Sequence, residues 1–230
     1  MPSEPIGTVI VTGAASGLGA AVAAAVAREG GTPVSLDLNP PANGVAHEQV
    51  DLADARATED VVRRVAERVG DLRGVVTAAG IDACGKLEEV PGEQWDRVVA
   101  VNLLGTVAVA RAALPALEAN RGRVITVAST LGLRALSDAT AYCASKFGVV
   151  GFSRALAVET QGRVGVTMLV PGGMQTAFFD GRPEQYKPAP DARLSPPSEV
   201  AEAVVFALTR PAGVELREMV VAPSTEPSWP

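Results

Sequence analysis

The stretch Thr8-Val9-Ile10-Val11-Thr12-Gly13-Ala14-Ala15-Ser16-Gly17-Leu18-Gly19 carries the reading on which the fold turns. A five-residue β-branched run leads into three glycines, and an alanine- and valine-rich stretch from Leu18 to Glu29 follows. That pattern is strand, tight turn, helix. Gly13 and Gly17 permit a tight turn and a close approach of backbone to a phosphate, which sits where the helix's first N–H groups lack partners. Gly19 allows the helix to pack closely on the strand. Alone, such glycines serve equally as an ordinary turn and helix start.

Moving outward, short apolar runs alternate with helical patterns. Strands are predicted at Thr8–Thr12, Val34–Asp37, Ala46–Val50, Gly74–Ala78, Arg123–Ser129, Val164–Val170 and Glu218–Ala222. Helices are predicted near Leu18–Glu29, Thr58–Val69, Glu93–Glu118, Ala141–Glu159 and Ser198–Thr209. Strands with so little alternation suit a parallel sheet covered on both faces, and strand–helix alternation implies right-handed crossovers. The fold class is therefore α/β, a doubly wound parallel sheet of about seven strands. The link from Leu38 to Val45 holds Pro40 and Pro41 and is too short for a crossover helix, so it reads as irregular. Gly172–Pro197 is rich in Gly and Pro yet carries Met174, Phe178, Phe179 and Tyr186, the character of a lid rather than a spacer.

Length and composition remove several function classes. The chain has 230 residues, enough for one domain over 1–230, and a formal charge of −6. An acidic balance argues against nucleic acid or an anionic membrane as partner. His47, Cys84 and Cys143 cannot assemble a zinc site, so no metal is expected, and two separated cysteines point to a reducing cytoplasm. The apolar stretch after Glu4 lacks the positive start of a signal peptide. Thr12, Gly13, Ser16 and Gly17 break it before it reaches the length of a membrane span. A soluble protein is expected.

Asp37 ends the second strand about 20 residues after Gly17, where a carboxylate accepts hydrogen bonds from an adenosine ribose. No Arg or Lys occupies positions 14–16 or 38–39 to neutralise a 2′-phosphate, so the sequence predicts NAD over NADP. Tyr142 and Lys146 stand at i and i+4 on one face of a predicted helix. Ionising a tyrosine with pKa near 10 at pH 7 costs about 4 kcal/mol, which a neighbouring ammonium and a nicotinamide cation offset, making the phenol a usable general acid–base.

Taken together, these motifs resemble the short-chain dehydrogenase/reductase family, over nearly the whole chain. Thr12–Gly19 fits T-G-x-x-x-G-x-G, Tyr142/Lys146 fits Y-x-x-x-K, and Ser129 lies thirteen residues before the tyrosine. Asn102 in V-N-L-L-G matches the tetrad asparagine, Asp51-Leu52 the adenine-side aspartate and its neighbour, and Pro171-Gly172 with Thr176 the P-G-x-x-x-T segment. Thr77-Ala78-Ala79-Gly80 stands where the family has N-N-A-G, a departure expected to cost stability more than catalysis. The resemblance implies a Rossmann-type sheet with Asn102, Ser129, Tyr142 and Lys146 as catalytic residues. Ser129 then holds the carbonyl oxygen, Tyr142 moves the proton, Lys146 depresses the phenol's pKa and holds the nicotinamide ribose, and Asn102 positions a water joining Lys146 to solvent. Gly13, Ser16, Gly17, Leu18, Gly19, Asp37, Asp51, Leu52, Ala79, Gly80, Pro171, Gly172 and Thr176 are implied to hold the dinucleotide.

Leu131, Leu133 and Leu136 after Ser129, with Met174, Phe178, Phe179 and Tyr186 on the lid, predict a largely apolar pocket for a small secondary alcohol or ketone. Arg182, Lys187 and Arg193 on the same loop offer an alternative, an acidic tail or acyl carrier. Rival readings are an NADPH-dependent carbonyl or 3-oxoacyl reductase, a non-catalytic NAD-binding sensor, and a sugar-nucleotide epimerase or dehydratase, whose relatives have a different glycine spacing. The long helices carry apolar residues on more than one face, and relatives pair them across two-fold axes, so a homo-oligomer, a dimer or tetramer, is expected, with Trp229 docking on a neighbour.

Overall fold

The valine- and isoleucine-rich runs become strands because both their faces find helices to cover them. A computed structural model describes residues 6–42 and 44–229. Its strands are β1 (Thr8–Thr12), β2 (Thr32–Asp37), β3 (Ala46–Gln49), β4 (Leu72–Thr77), β5 (Arg123–Val127), β6 (Gly165–Pro171) and β7 (Glu218–Val221). They form one seven-stranded parallel sheet in the order β3-β2-β1-β4-β5-β6-β7. The helices are α1 (Gly17–Arg28), α2 (Ala55–Val69), α3 (Gly92–Val99), α4 (Thr106–Ala119), α5 (Thr140–Glu159) and α6 (Pro197–Leu208).

Side chains on a strand point alternately to its two faces. Val9 and Val11 therefore pack with Val22 of α1 and Val204 of α6, whereas Ile10 packs on the opposite face with Val62 of α2 and Leu117 of α4. Glu59 stiffens that second layer. Its buried carboxylate receives Arg56 and Arg63 from α2 and Arg111 from α4, and Arg111 foremost holds it below the usual carboxylate range. The strand order reverses between β1 and β4, and the crevice opens where the carboxyl ends of these neighbours part, the place where such sheets bind ligands.

Two local features depart from the sequence reading. The predicted helix Glu93–Glu118 is α3 and α4 joined through a π-helical turn, Ala100–Gly105, that contains Asn102. A Cβ on Gly105 would meet the Leu52 carbonyl oxygen at 2.9 Å, so the helix approaches this loop as closely as backbone allows. β2 also begins at Thr32, ahead of Pro33. Thr32 donates to Gly7 on the β1 side, so Pro33 faces the β3 side, where pairing starts only at Val34 and no donor is needed.

β3 runs parallel to β2 without a crossover helix. A four-residue edge strand requires a return of only about 13 Å, and eight linking residues reach about 26 Å. The stretch Gly92–Ala119 is long and apolar enough to cross a membrane by length and composition, but more than half of its most apolar window is buried inside the fold. Leu104, Phe147 and Val158 on the long helices and Trp229 near the C-terminus are exposed.

Thr77, at the end of β4, is buried, and its Oγ1 has no hydrogen-bond partner among the described residues. An orphaned hydroxyl costs about 1–3 kcal/mol, and valine has the same shape without it. Thr77→Val is therefore expected to leave the urea unfolding midpoint unchanged or raise it. A fall in the midpoint beyond about 0.5 kcal/mol of stability would show that the hydroxyl has a partner in solution.

Candidate active site

A cleft of about 1460 Å³ opens along the carboxyl ends of the strands. At one end lies the glycine turn. Gly13 has φ +70°, and a Cβ there would meet Ala79 Cα at 2.8 Å, so the turn presses on the loop that follows β4. Thr12 Oγ1 accepts from Ala79 N at 3.0 Å and fastens the two together. A Cβ on Gly19 would fall well inside contact distance of the Gly13 carbonyl oxygen, which only glycine avoids.

Ser16 occupies the N-cap of α1 in extended conformation, its side chain makes no capping bond, and the first turn holds no acid. The helix's positive end thus faces the cleft unspent, which suits a bound diphosphate. Asp37 Oδ2 accepts from Ala15 N at 3.0 Å and Oδ1 from Asn39 N at 3.0 Å. The carboxylate is therefore fixed beside the turn at the lip of the cleft. Asp51 bonds Ala53 N and forms an ion pair with Arg97, a cleft residue with no local sequence cue. Leu18, Leu52, Gly80, Pro171, Gly172 and Thr176 also line the cleft, and Gly17 lies against the Thr176 side chain. The chain's residues fit a dinucleotide: an uncapped helix start for the diphosphate, a carboxylate at the ribose end, and open space from there to Tyr142.

The opposite end holds Ser129, Tyr142 and Lys146 on one wall. β5 ends at Val127, so Ser129 stands just beyond it in extended conformation, its Oγ accepting from Leu131 N at 3.1 Å. The start of α5 carries Tyr142 and Lys146 one turn apart, and the Lys146 Nζ is 5.6 Å from the phenol ring centroid. Lys146 is buried, and its ammonium donates to the Val127 carbonyl at 2.8 Å. Burial lowers Lys146 to about 8, so it remains largely protonated at pH 7. Burial pushes the Tyr142 phenol up to about 12, and a hydrogen bond with Ser129 opposes this only in part. In the protein alone the phenol thus lies above its ordinary value, not below it as the sequence reading expected.

Asn102 lies behind this wall rather than in the cleft. Its Oδ1 accepts from Ile81 N, and its Nδ2 donates to Ile81 O and to Ser145 Oγ, all within 3.0 Å. Both side-chain donors are therefore spent on protein. A Cβ on Gly80 would lie 3.7 Å from both Asn102 Oδ1 and Lys146 Nζ, so glycine leaves the space between them open.

Segment 172–197 covers the substrate end. Phe178 packs against Tyr142 with ring centroids 5.6 Å apart, and Phe179 meets Phe178 edge-on. Leu131, Leu136, Met174 and Tyr186 share this lining, whereas Leu133 packs into the core beside Val149 and lies outside it. Of the three lid cations, Arg182 is paired with Asp82 at 2.9 Å and Lys187 with Glu184 at 2.9 Å, leaving Arg193 exposed at the rim. Cys143 is buried outside the cleft lining, and His47 sits in edge strand β3. No cluster of three His, Cys, Asp or Glu side chains suited to a metal occurs among the described residues.

The sequence reading missed the C-terminal clasp. Glu226 Oε2 accepts from Gly173 N at 2.8 Å, and Ser228 Oγ bonds both Glu226 and Thr130, the neighbour of Ser129. It also missed the pairing of Asp82 with Arg182, one hundred positions apart.

Sheet order, glycine turn and cleft define an α/β dinucleotide-binding protein. The short chain dehydrogenase profile matches residues 7–187, and the chain belongs to that family. It is 36% identical over 217 residues to D-threitol dehydrogenase of Mycolicibacterium smegmatis, covering 86% of this chain and 84% of that protein. It is 31% identical over 229 residues to 2-(S)-hydroxypropyl-CoM dehydrogenase 3 of Xanthobacter autotrophicus, covering 87% and 89%. The alcohol dehydrogenase of the archaeon Thermococcus sibiricus, solved with 5-hydroxy-NADP, superposes with a TM-score of 0.82 at 28% identity, covering 93% of this chain and 95% of that one. The protein is an oxidoreductase of a family that binds nicotinamide cofactors.

The pKa displacements set how stability varies with pH. Lys146 binds its proton less tightly folded, at about 8, than the ordinary 10.5, so unfolding takes up a proton between these values and stability rises with pH there. Tyr142, raised from 10 to about 12, works in the opposite sense, and its contribution is lost as pH climbs through that interval. Relative to Lys146→Met, the wild-type unfolding midpoint is expected to climb from pH 8 to pH 10. Parallel profiles for the two proteins would mean that the ammonium is not buried.

Proposed function

We propose that the protein is an NAD-dependent dehydrogenase that interconverts a small secondary alcohol and its ketone, with Tyr142 as general acid–base. What carries this reading is the shared wall of Ser129, Tyr142 and Lys146 at the end of a cleft that begins at the uncapped start of α1. Relatives named as D-threitol, hydroxypropyl-CoM and alcohol dehydrogenases support oxidation of an alcohol.

When bound, the nicotinamide supplies the carbon that gives or accepts the hydride and, oxidised, a positive charge near the phenol. Ser129 Oγ directs its hydrogen bond to the substrate oxygen and steadies the charge that develops there. Tyr142 Oη takes the hydroxyl proton during oxidation and returns it during reduction. The Lys146 ammonium, 5.6 Å from the phenol ring centroid, favours the phenolate through a poorly screened path and would hold the sugar of a bound dinucleotide. Asn102 positions this group by tying the α3–α4 turn to Ile81 and to Ser145 of α5. Phe178 and Phe179, with Leu131 and Met174, offer the carbon frame of the substrate an apolar wall and exclude water from the reacting atoms.

The preference for NAD rests on Asp37, whose carboxylate is fixed at the ribose end and would repel a 2′-phosphate. The Thermococcus sibiricus structure holds an NADP analogue, so this preference is read from the chain's own residues.

Tyr142→Phe is expected to lower kcat by about 10²–10⁴ while NAD still binds, because it removes the proton carrier and keeps the ring. Stopped turnover is read at the nicotinamide absorbance and binding by calorimetry; retained turnover would overturn the mechanism. Asp37→Ala is expected to shrink the ratio of kcat/KM for NAD over NADP by about tenfold or more, through loss of both the ribose bonds and the repulsion. An unchanged ratio would remove Asp37 from cofactor choice.

A further inference from the structure

We propose that the Asp82–Arg182 ion pair forms a substrate subsite for a second, neutral hydroxyl, making small diols and hydroxy ketones the preferred substrate class. This rests on the reading of the cleft as an alcohol–ketone site.

Placement comes first. Asp82 follows β4, Arg182 lies in segment 172–197, and both line the cleft. The Phe178 ring joins them to the catalytic wall: its centroid is 5.6 Å from that of Tyr142 and 4.6 Å from the Arg182 guanidinium carbon. Arg182 and Tyr142 thus both pack on the Phe178 ring, at the same end of the cleft. Phe179 holds the guanidinium from another side at 4.8 Å, which fixes its orientation.

Energetics point the same way. The two side chains are only 15% and 7% exposed. A pair so buried has a desolvation cost that often matches or exceeds its attraction, and apolar residues of like size hold a fold at least as well. Stability alone gives little reason for charges beside an aromatic wall.

Valence accounting shows which atoms remain. Asp82 Oδ1 accepts from Ala83 N, while Oδ2 accepts from Arg182 Nη2 and from the Cys84 thiol at 3.2 Å. Arg182 has five N–H donors. One goes to Asp82 and another reaches the Tyr186 carbonyl at 3.5 Å, and the rest have no protein acceptor among the described residues. The subsite therefore offers donors from Arg182 and residual acceptor capacity on Asp82. A hydroxyl, which both accepts and donates, uses both.

Charge decides against an anionic substrate. Asp82 already neutralises Arg182, and Glu184 already holds Lys187. Around them the substrate end of the cleft carries Asp138, Asp180, Asp191 and Glu226, with Arg193 at the rim. Cys84 reports the same field: burial, with the Asp82 carboxylate next, pushes its thiol up to about 11. A place that resists a thiolate also resists a carboxylate or an acyl-carrier phosphate.

Three four-carbon secondary alcohols test this: butan-2-ol, butane-2,3-diol and 3-hydroxybutyrate, each oxidised with NAD and with NADP. The diol is expected to exceed butan-2-ol in kcat/KM by about tenfold or more, the scale of one hydrogen bond to a charged group, and 3-hydroxybutyrate to be the poorest. Arg182→Met is expected to cut the diol-to-mono-alcohol ratio by about tenfold. The double variant Asp82→Leu/Arg182→Met, which removes both charges together and so leaves neither buried alone, is expected to do the same. Equal rates on diol and mono-alcohol, or a ratio untouched in both variants, would overturn the subsite while leaving the dehydrogenase reading intact. Failure to oxidise any of the three with either dinucleotide would overturn the dehydrogenase reading, and the subsite with it.

Discussion

A buried ammonium bonded to one strand carbonyl is the point around which the cleft is assembled. Lys146 Nζ reaches Val127 O at the end of β5, and that bond sets α5 against the sheet. Gly132 then fits against the Lys146 backbone, where a Cβ would meet its carbonyl oxygen at 2.8 Å. Gly80 leaves the space between the ammonium and Asn102 clear. The loops after β4 and β5 and the π-helical turn at Asn102 thus converge on one charge. Moving that charge by an ångström would disturb the serine, the tyrosine and the turn after β4 together, because packed interiors transmit displacement rather than absorb it.

Local features of the cleft are legible in the sequence, and long-range ones are not. The glycine turn and the Tyr142–Lys146 pair are each contained in one element, so spacing alone places their members on one side. Asp37 follows because a strand's end is marked by its own residues. The Asp82–Arg182 pair spans one hundred positions and the Thr130–Ser228 bond ninety-eight, and no periodicity relates residues so far apart. Arg182 is visible in the sequence as a lid cation, but its charge is spent on a partner that only the fold supplies. The π-helical turn at Asn102 is hidden for a related reason. Its cause is the Ile81 backbone and the close approach of Gly105 to Leu52, not the helix's own pattern. The link after Leu38 is legible as irregular from its length and its prolines, and β3 still pairs beside β2 because so short a strand needs only a short return.

The C-terminal clasp relates the two loops that flank the Ser129–Tyr142 end of the cleft. Glu226 holds Gly173 at the base of segment 172–197, and through Ser228 the same chain end holds Thr130 beside Ser129. Gly172 permits this approach, because a Cβ there would collide with the Glu226 carboxylate. The covering segment and the serine loop are therefore joined through the chain's end as well as through the sheet. A change in one is felt in the other without passing through the core.

Burial acts on the tyrosine and the lysine in opposite directions, and under the proposed mechanism the phenol would hold its proton until a positive charge is brought beside it. A phenol near 12 and an ammonium near 8 both lean towards neutrality in the protein alone. The same low-polarity surroundings strengthen any interaction between charges placed there, since little water screens them. A positive ring brought beside Tyr142 would therefore lower the phenol further than it would in water, while Lys146 at pH 7 adds its own positive charge. In the proposed mechanism, desolvation that looks unfavourable residue by residue would thus make proton transfer conditional on the dinucleotide. An exposed tyrosine, with an unperturbed pKa and a screened neighbour, would lack that dependence.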